Sequence, residues 1–489
     1  MEKFKMWIGG EWVDAASGKT FRTYNPATGE EVAEVPLAGL PDVDKAVAAA
    51  RMALPAWARK TQAERSTIVA RIAATIRAHS DELCRLEVIE HGAVQWQAPM
   101  MIEFAAANIE LAASGARTLM GKVLPAVPSM GEPPGVGANT VVYMKREPVG
   151  VCALITPWNV PSLMVGTKLG PCLATGNTCV IKAASLNSGI ALKWAEILAK
   201  CDLPPGIVNM ITGPGGSIGG ALSSHPGVDL ISFTGSSEVG KSIIAASSQT
   251  VKVLMMELGG KNPAIVLEDA DVEATAFELC MIAFQNVGQN CAQPSRFYVQ
   301  EKVYDKFIEA FVAAAKTLKV GDPADKETMM GPVVSKEQRD RIEYFIKTAV
   351  DEGARLVLGG KRSTEPPLDK GFFVMPTVFA DCTPNMTITR EEVFGPVVGI
   401  HKFSTDEKVL EEANNTAFGL CASVWTKDYA RGLKLVNELQ AGSVWINQHM
   451  NLVPETPWGG FKESGLMKEG GVIGGEGYTQ LKYVCIKHK

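Results

Sequence analysis

Val151-Cys152-Ala153-Leu154-Ile155-Thr156-Pro157-Trp158-Asn159-Val160-Pro161 is the stretch on which the fold turns. Its first five residues form a short apolar run, and the proline-bounded turn that follows is rigid and polar. The segment therefore reads as a buried strand delivering a loop. No charge falls between Glu147 and Lys168, as in a membrane span, but Pro148, Pro157, Pro161 and Asn159 interrupt that stretch. The pattern then repeats. Apolar runs at 178–181, 207–212 and 230–233 are separated by helix-like segments at 188–200, 217–223 and 237–247. Repeated strand–helix units predict a parallel sheet wound with helices, with ligands at the carboxyl ends of the strands.

Beyond residue 254 the alternation restarts, with strands expected at 264–267 and 295–299 and helices near 275–286 and at 303–318. That predicts a second α/β unit. Upstream, residues 7–36 alternate short apolar runs with Gly and Asn-Pro breaks, as short strands and turns do. Asp42 is expected to cap a helix over 43–54. Thr61-Gln62-Ala63-Glu64 is a capping box opening a helix toward His79, and 100–120 reads as a long Ala-rich helix. Pro125, Pro128, Pro133 and Pro134 then break the chain before an extended segment from 140 to 145.

The 489 residues are 46% hydrophobic and 21% charged, values of an ordinary globular chain long enough for several domains. A formal charge of −5, with 48 basic and 53 acidic residues well mixed, gives no footprint for nucleic acid or an anionic membrane. The N-terminus lacks the apolar region of a signal peptide, so a cytoplasmic protein with reduced thiols is expected. Ten cysteines contain no C-x-x-C pair and six histidines no H-x-x-x-H spacing, so no metal site is expected.

Four short segments can carry chemistry. Cys291, in Gly288-Gln289-Asn290-Cys291, follows a Gly turn that would expose its thiol. A thiolate is a strong nucleophile, most reactive where a polar cleft lowers its pKa. Taken alone, a single cysteine reads equally as a small buried hydrophobe. Glu257, before Gly259-Gly260 in an apolar surround, can have a raised pKa and act as a general base. Gly235-Ser236, between a strand and a helix, offers free N–H groups to phosphate oxygens. Asn159, held between prolines, offers a rigid amide to a developing oxyanion. Glycine clusters at 213–220 and 470–477 read as decoys, since neither has the G-x-G-x-x-G spacing of the usual dinucleotide fingerprint.

Together and in this order, these segments resemble the aldehyde dehydrogenase superfamily of the hydrolytic, NAD(P)-dependent type. The likeness runs from NPATGE (25–30) through PWN (157–159), GNTCVIK (176–182), FTGS (233–236), ELGGK (257–261), GQNC (288–291) and EEVFGPV (391–397). It ends with PWGGFKESG (457–465) and EGYTQLK (476–482). The resemblance implies an α/β fold with three parts. A Rossmann-type cofactor domain would comprise 1–125 and 149–259, a catalytic domain 260–460, and a small β oligomerisation extension 126–148 and 474–489. It also implies roles. Cys291 is the nucleophile, Asn159 and the Cys291 N–H form the oxyanion hole, and Glu257 activates water. Lys182 and Ser185 meet the adenosine ribose, and Gly235 and Ser236 the pyrophosphate. Glu392 holds the nicotinamide ribose, with Phe394 and Trp158 also placed at the cofactor. Lys168 sits near the substrate pocket with no assigned chemistry. A homodimer or homotetramer is expected.

One position departs from the family pattern K-P-[SA]-E, which reads here Lys182-Ala183-Ala184-Ser185. A Glu there would bind ribose hydroxyls and repel a 2′-phosphate. Ser185 removes that charge, so NADP⁺ is expected to be accepted beside NAD⁺. Expected pocket residues are Val160, Leu163, Met164, Thr167, Asn290, Ala292 and the segment 449–458. Being mostly apolar or small, they point to an uncharged hydrophobic aldehyde, aromatic or medium aliphatic. The alternatives are a carboxylated semialdehyde, anchored by charge on a helix carrying Glu103, Glu110 and Arg117, and transfer of the acyl group to coenzyme A. Glu257 argues against the latter. A non-catalytic protein on the same fold would have no reason to keep Cys291, Glu257 and Asn159 together.

Overall fold

The computed structural model describes residues 1–125 and 140–487. Among them, two large sheets organise the chain. The first has eight strands in the order Gly465–Leu466, Val253–Glu257, Leu230–Thr234, Val151–Ile155, Thr178–Lys182, Val208–Ile211, Met6–Ile8 and Glu11–Val13. The five from Val253–Glu257 to Val208–Ile211 run parallel. Antiparallel strands close both edges. Every residue of Val151–Ile155 and Thr178–Lys182 is buried, as the continuous apolar runs of a sheet covered on both faces require.

The parallel set starts in its middle, at Val151–Ile155, lays two strands on one side, then two on the other. The order reverses between Val151–Ile155 and Leu230–Thr234. Ligands of doubly wound sheets bind at the carboxyl ends of such a pair. The loops leaving those two ends carry Trp158 and Asn159, and Gly235 and Ser236.

The second sheet has seven strands, in the order Arg355–Leu358, Thr377–Ala380, Val397–Phe403, Pro294–Gln300, Asn262–Val266, Cys421–Trp425 and Ser443–Ile446. Only residues 258–261 separate Glu257, the last residue of a first-sheet strand, from Asn262, the first residue of a second-sheet strand. The link brings the carboxyl end of one sheet to the amino end of the other. A small sheet pairs Thr140–Pro148 with both Thr479–Lys487 and Lys122–Leu124. Lys122–Leu124 thus joins this sheet although it precedes residue 126, the expected start of the extension. Residues 126–139 and 488–489 of that expected extension lie outside the described residues.

Most expected helices form, among them Gln62–Ala78 behind its capping box and Ser237–Ser247. The first long helix differs. It runs Leu40–Arg59 from a Gly39 cap, so Asp42 lies inside the first turn. Its carboxylate reaches back to accept the Gly39 and Ala16 N–H groups at 2.8 and 3.0 Å, because Pro41 already sits comfortably in a helical first turn.

Helix Pro161–Ala174, which follows Asn159, packs on helix Gln97–Ala116 through a glycine. A Cβ at Gly166 would lie 2.6 Å from the Ala105 carbonyl oxygen and 2.7 Å from its Cα. Gly115, on the partner helix, has no such neighbour within 4 Å. Gly166→Ala is therefore expected to cost about 1–3 kcal/mol by forcing the helices apart. Gly115→Ala should be neutral or gain up to about 1 kcal/mol from helix propensity. Urea unfolding midpoints of the two variants check this, and equal midpoints would contradict the close contact.

Candidate active site

Cys291 lies in the link between helix Val272–Phe284 and strand Pro294–Gln300. Three left-handed residues, Asn286 (φ 52°), Val287 (φ 59°) and Gly288 (φ 67°), turn the chain toward it. A β-branched residue in that region is strained by about 1–3 kcal/mol, so surrounding contacts must hold it. They do. Asn286 Nδ2 donates to the carbonyls of Asn159 (2.7 Å) and Gln289 (3.2 Å), and Asn159 Nδ2 donates to Gln289 O at 3.0 Å. Asn262 Nδ2 donates to the carbonyls of Cys291 (2.7 Å) and Gln293 (2.9 Å). The Ala292 N–H donates to Asn290 Oδ1 at 2.9 Å, and that oxygen lies 3.9 Å from Cys291 Sγ.

One N–H of the Asn159 amide is thus spent on the cysteine loop, leaving the other. The Cys291 N–H has no acceptor among the described residues. These are the donors that a developing oxyanion needs. The thiol itself is not acidified by its cleft. Burial, then the charges of Glu392 and Glu257, push it up to about 12, so the resting residue is a thiol.

Glu257 is buried and neither carboxyl oxygen has a hydrogen-bond partner. Gly459 passes so close that a Cβ there would sit 2.5 Å from Oε1. Desolvation, reinforced by Glu469, raises this carboxyl well above the usual range, with Lys168 and Lys468 opposing. Lys168 and Glu469 form a buried ion pair, Nζ to Oε1 2.5 Å, and the Ser232 hydroxyl takes a hydrogen bond from the first and donates to the second, each at 2.9 Å. Neither role is evident from the sequence, in which Lys168 has no assigned chemistry and Glu469 merely precedes a glycine cluster. A lysine inside an apolar helix is the one available signal, and Glu469 offers none.

The Lys182 ammonium, at the carboxyl end of Thr178–Lys182, has no acceptor within hydrogen-bond distance among the described residues. Desolvation lowers it to about 8. Ser185 Oγ donates to Gly213 O at 3.0 Å, and a Cβ at Gly215 would lie 3.7 Å from Lys182 Nζ. The 213–220 glycines, expected to be a decoy, therefore border this cation. Across the crevice, Ser236 Oγ caps helix Ser237–Ser247 by accepting the Val239 N–H at 3.3 Å. A Cβ at Gly235 would run into the Phe233 ring, so that turn requires glycine. Glu392 accepts the Gly260 N–H at 2.8 Å, and desolvation lifts its carboxyl to about 7. Trp158 and Phe394 meet edge to face at 5.2 Å. A buried cation without an anion, a helix amino end and a carboxyl near an aromatic pair fit the phosphates, hydroxyls and ring of a dinucleotide.

On the aldehyde side, Asn290 Nδ2 donates to Met450 Sδ at 2.9 Å and Thr167 Oγ1 to Leu163 O at 2.9 Å, so both polar groups are engaged. Glu103 and Glu110 both pair with Arg77 on helix Gln62–Ala78 at 2.8 Å. His449 was expected to line the pocket. It is buried against the main chain, with Nε2 2.9 Å from Ala292 O and Nδ1 2.9 Å from Ser423 Oγ. Among the described residues no cluster of three or more His, Cys, Asp or Glu could hold a metal, and no helix is long and apolar enough to cross a membrane.

A profile described as the aldehyde dehydrogenase family matches residues 12–484. The chain is 38% identical over 481 residues to a betaine aldehyde dehydrogenase of Bacillus subtilis, covering 98% of this chain and 96% of that protein. It is 40% identical over 488 residues to a phenylacetaldehyde dehydrogenase of Pseudomonas fluorescens, covering 99% and 96%. A solved betaine aldehyde dehydrogenase from Staphylococcus aureus, in complex with NAD⁺, superposes with a TM-score of 0.95 at 35% identity, covering 99% of this chain and 95% of that one. The two-sheet architecture and the matches across nearly its whole length agree that this chain is an enzyme of the aldehyde dehydrogenase family.

Proposed function

We propose that the enzyme oxidises an uncharged hydrophobic aldehyde, aromatic or medium aliphatic, to its carboxylic acid, using NAD⁺ or NADP⁺. The observation that carries this reading is the Cys291 loop, held so that the Cys291 N–H and one Asn159 N–H are left unspent among the described residues, with the thiol only weakly engaged by Asn290 Oδ1 at 3.9 Å, and with a buried Glu257 whose charge acts on that thiol. Ionised Cys291 adds to the aldehyde carbon, forming a C–S bond, while the oxygen takes hydrogen bonds from Asn159 and the Cys291 N–H. Glu257 accepts the thiol proton. Loss of hydride from that carbon, leaving a thioester on Cys291, is the chemistry that a bound nicotinamide supplies. Glu257 releases that proton to solvent, then takes one from the water that attacks the thioester; the C–S bond breaks to release the acid, and the departing thiolate takes this proton back from Glu257 to restore the thiol.

Lys182, Ser185, Gly235, Ser236, Glu392, Phe394 and Trp158 would hold the dinucleotide. The proposed division keeps 1–125 with 149–259 for the cofactor and 260–460 for the chemistry. We assign 126–148 with 474–489 to association as a homodimer or homotetramer. Exposed Leu481, Tyr483 and Ile486 on the edge strand Thr479–Lys487 support the last assignment.

Cys291→Ala should abolish formation of reduced nicotinamide. Glu257→Gln should lower steady-state turnover by about 10²–10⁴-fold. Because the thiol and Glu257 both hold their protons above the ordinary range and act in their ionised forms, wild-type kcat/KM should rise from neutral toward alkaline pH. Wild-type turnover in Glu257→Gln would contradict its role. NADP⁺ should support turnover, and Ser185→Glu should shift the cofactor ratio toward NAD⁺ by about tenfold or more. A wild-type preference for NAD⁺ exceeding about a hundredfold would overturn that reading. On an aldehyde panel, aromatic and medium aliphatic compounds should exceed dicarboxylic semialdehydes in kcat/KM. Activity confined to the semialdehydes would remove the hydrophobic assignment.

A further inference from the structure

We infer that His449 is a positioning residue for Cys291, holding the nucleophile loop by its backbone through hydrogen bonds of fixed direction. The inference rests on the reading of Cys291 as nucleophile. His449 follows strand Ser443–Ile446 and is 3% exposed. Its Nε2 lies 2.9 Å from Ala292 O, which can only accept, so Nε2 carries the proton. Its Nδ1 lies 2.9 Å from Ser423 Oγ, and Trp425 Nε1, which can only donate, lies 3.0 Å from the same oxygen. The Ser423 proton therefore goes to Nδ1. The order Trp425, Ser423, His449, Ala292 has one donor for each acceptor. Reversing the imidazole tautomer would set a lone pair against the Ala292 carbonyl and a second N–H against Ser423. Trp445 lies against the imidazole at 5.2 Å, adding packing that fixes the ring.

Ala292 is the point at which the loop would otherwise be loose. Asparagine amides hold the carbonyls of Gln289, Cys291 and Gln293. Asn290 takes the N–H groups of Ala292, through its side chain, and of Gln293, through its carbonyl at 3.0 Å. The Ala292 carbonyl has His449 and only the weak thiol donor of Cys421 at 3.7 Å. Without His449, a buried carbonyl loses its strong donor, and the peptide after Ala292 keeps only the Gln293 N–H on Asn290 O to hold it. The Cys291 and Ala292 N–H groups, which favour the thiolate against Glu257 and Glu392, then lose their set.

The test uses the full chain and three substitutions. His449→Phe keeps a ring without donors, His449→Gln keeps a donor, and Ser423→Ala frees the tautomer. Two readouts are taken: the pre-steady-state burst of reduced nicotinamide, and the pH profile of Cys291 alkylation by iodoacetamide without aldehyde or cofactor. His449→Phe should slow the burst about tenfold or more at unchanged cofactor KM and move the alkylation profile to higher pH. Ser423→Ala should move both in the same direction by less, and His449→Gln should recover most of each. Wild-type burst and alkylation in His449→Phe would overturn the inference. So would equal impairment of the Phe and Gln variants together with a lowered melting temperature, since the ring would then only fill space. If the wild-type protein oxidised no aldehyde at all, the proposed function would fall while the alkylation profiles still decided the role of His449.

Discussion

Residues 258–261 set the constraint on which the rest depends. They carry the main chain from the carboxyl end of one parallel sheet to the amino end of another with no room for a detour. Because the central strands of each sheet run in parallel, that single crossing aligns the outgoing loops of the first sheet with the incoming loops of the second. Asn159, Gly235 and Glu257 come from one set. Cys291, Glu392 and Phe394 come from the other. The Trp158–Phe394 ring contact and the Asn159–Gln289 hydrogen bond are stitches across this seam.

The seam is dry, and its electrostatics follow. Glu257, Glu392 and Cys291 all have their acidities suppressed by desolvation, and the charges of Glu392 and Glu257 make the Cys291 thiolate harder still to form. A buried ion pair is weak evidence of stability, because its desolvation offsets its attraction. Lys168 and Glu469 make more sense as a charge environment for Glu257, with one lowering and the other raising its proton affinity. Burial thus favours the neutral forms of Cys291 and Glu257 beside a charged Lys168–Glu469 pair.

Much of this is legible in the amino-acid sequence alone. Strands such as Val151–Ile155 and Leu230–Thr234 are apolar runs punctuated by Pro and Gly, and the capping box at Thr61 is a local signal that tertiary packing has no reason to override. Cys291, Glu257, Asn159 and Lys182 sit inside motifs whose residues act close to their own positions. Asp42 misleads because an acidic residue near a helix start serves equally as the cap or as the third residue reaching back to it. Glu469, Asn262 and His449 are hidden for a deeper reason. Their partners are backbone carbonyls or side chains far away along the chain, and a carbonyl has no signature in an amino-acid sequence. The 213–220 glycines lack the fingerprint spacing, yet they form the start of the helical segment 215–224, with Gly215 beside Lys182.

The topological reversal between Val151–Ile155 and Leu230–Thr234 also separates two kinds of adaptability. The residues proposed to meet the dinucleotide ribose, Lys182 and Ser185, lie at the carboxyl end of strand Thr178–Lys182 and in the connection that leaves it. Residues facing the aldehyde side, Asn290 and Met450, belong to the second sheet's loops. The two groups share no direct hydrogen bond or ion pair among the described residues, and free energies of distant sites with separate partners add. A substitution on either side therefore leaves the hydrogen bonds of the other side in place.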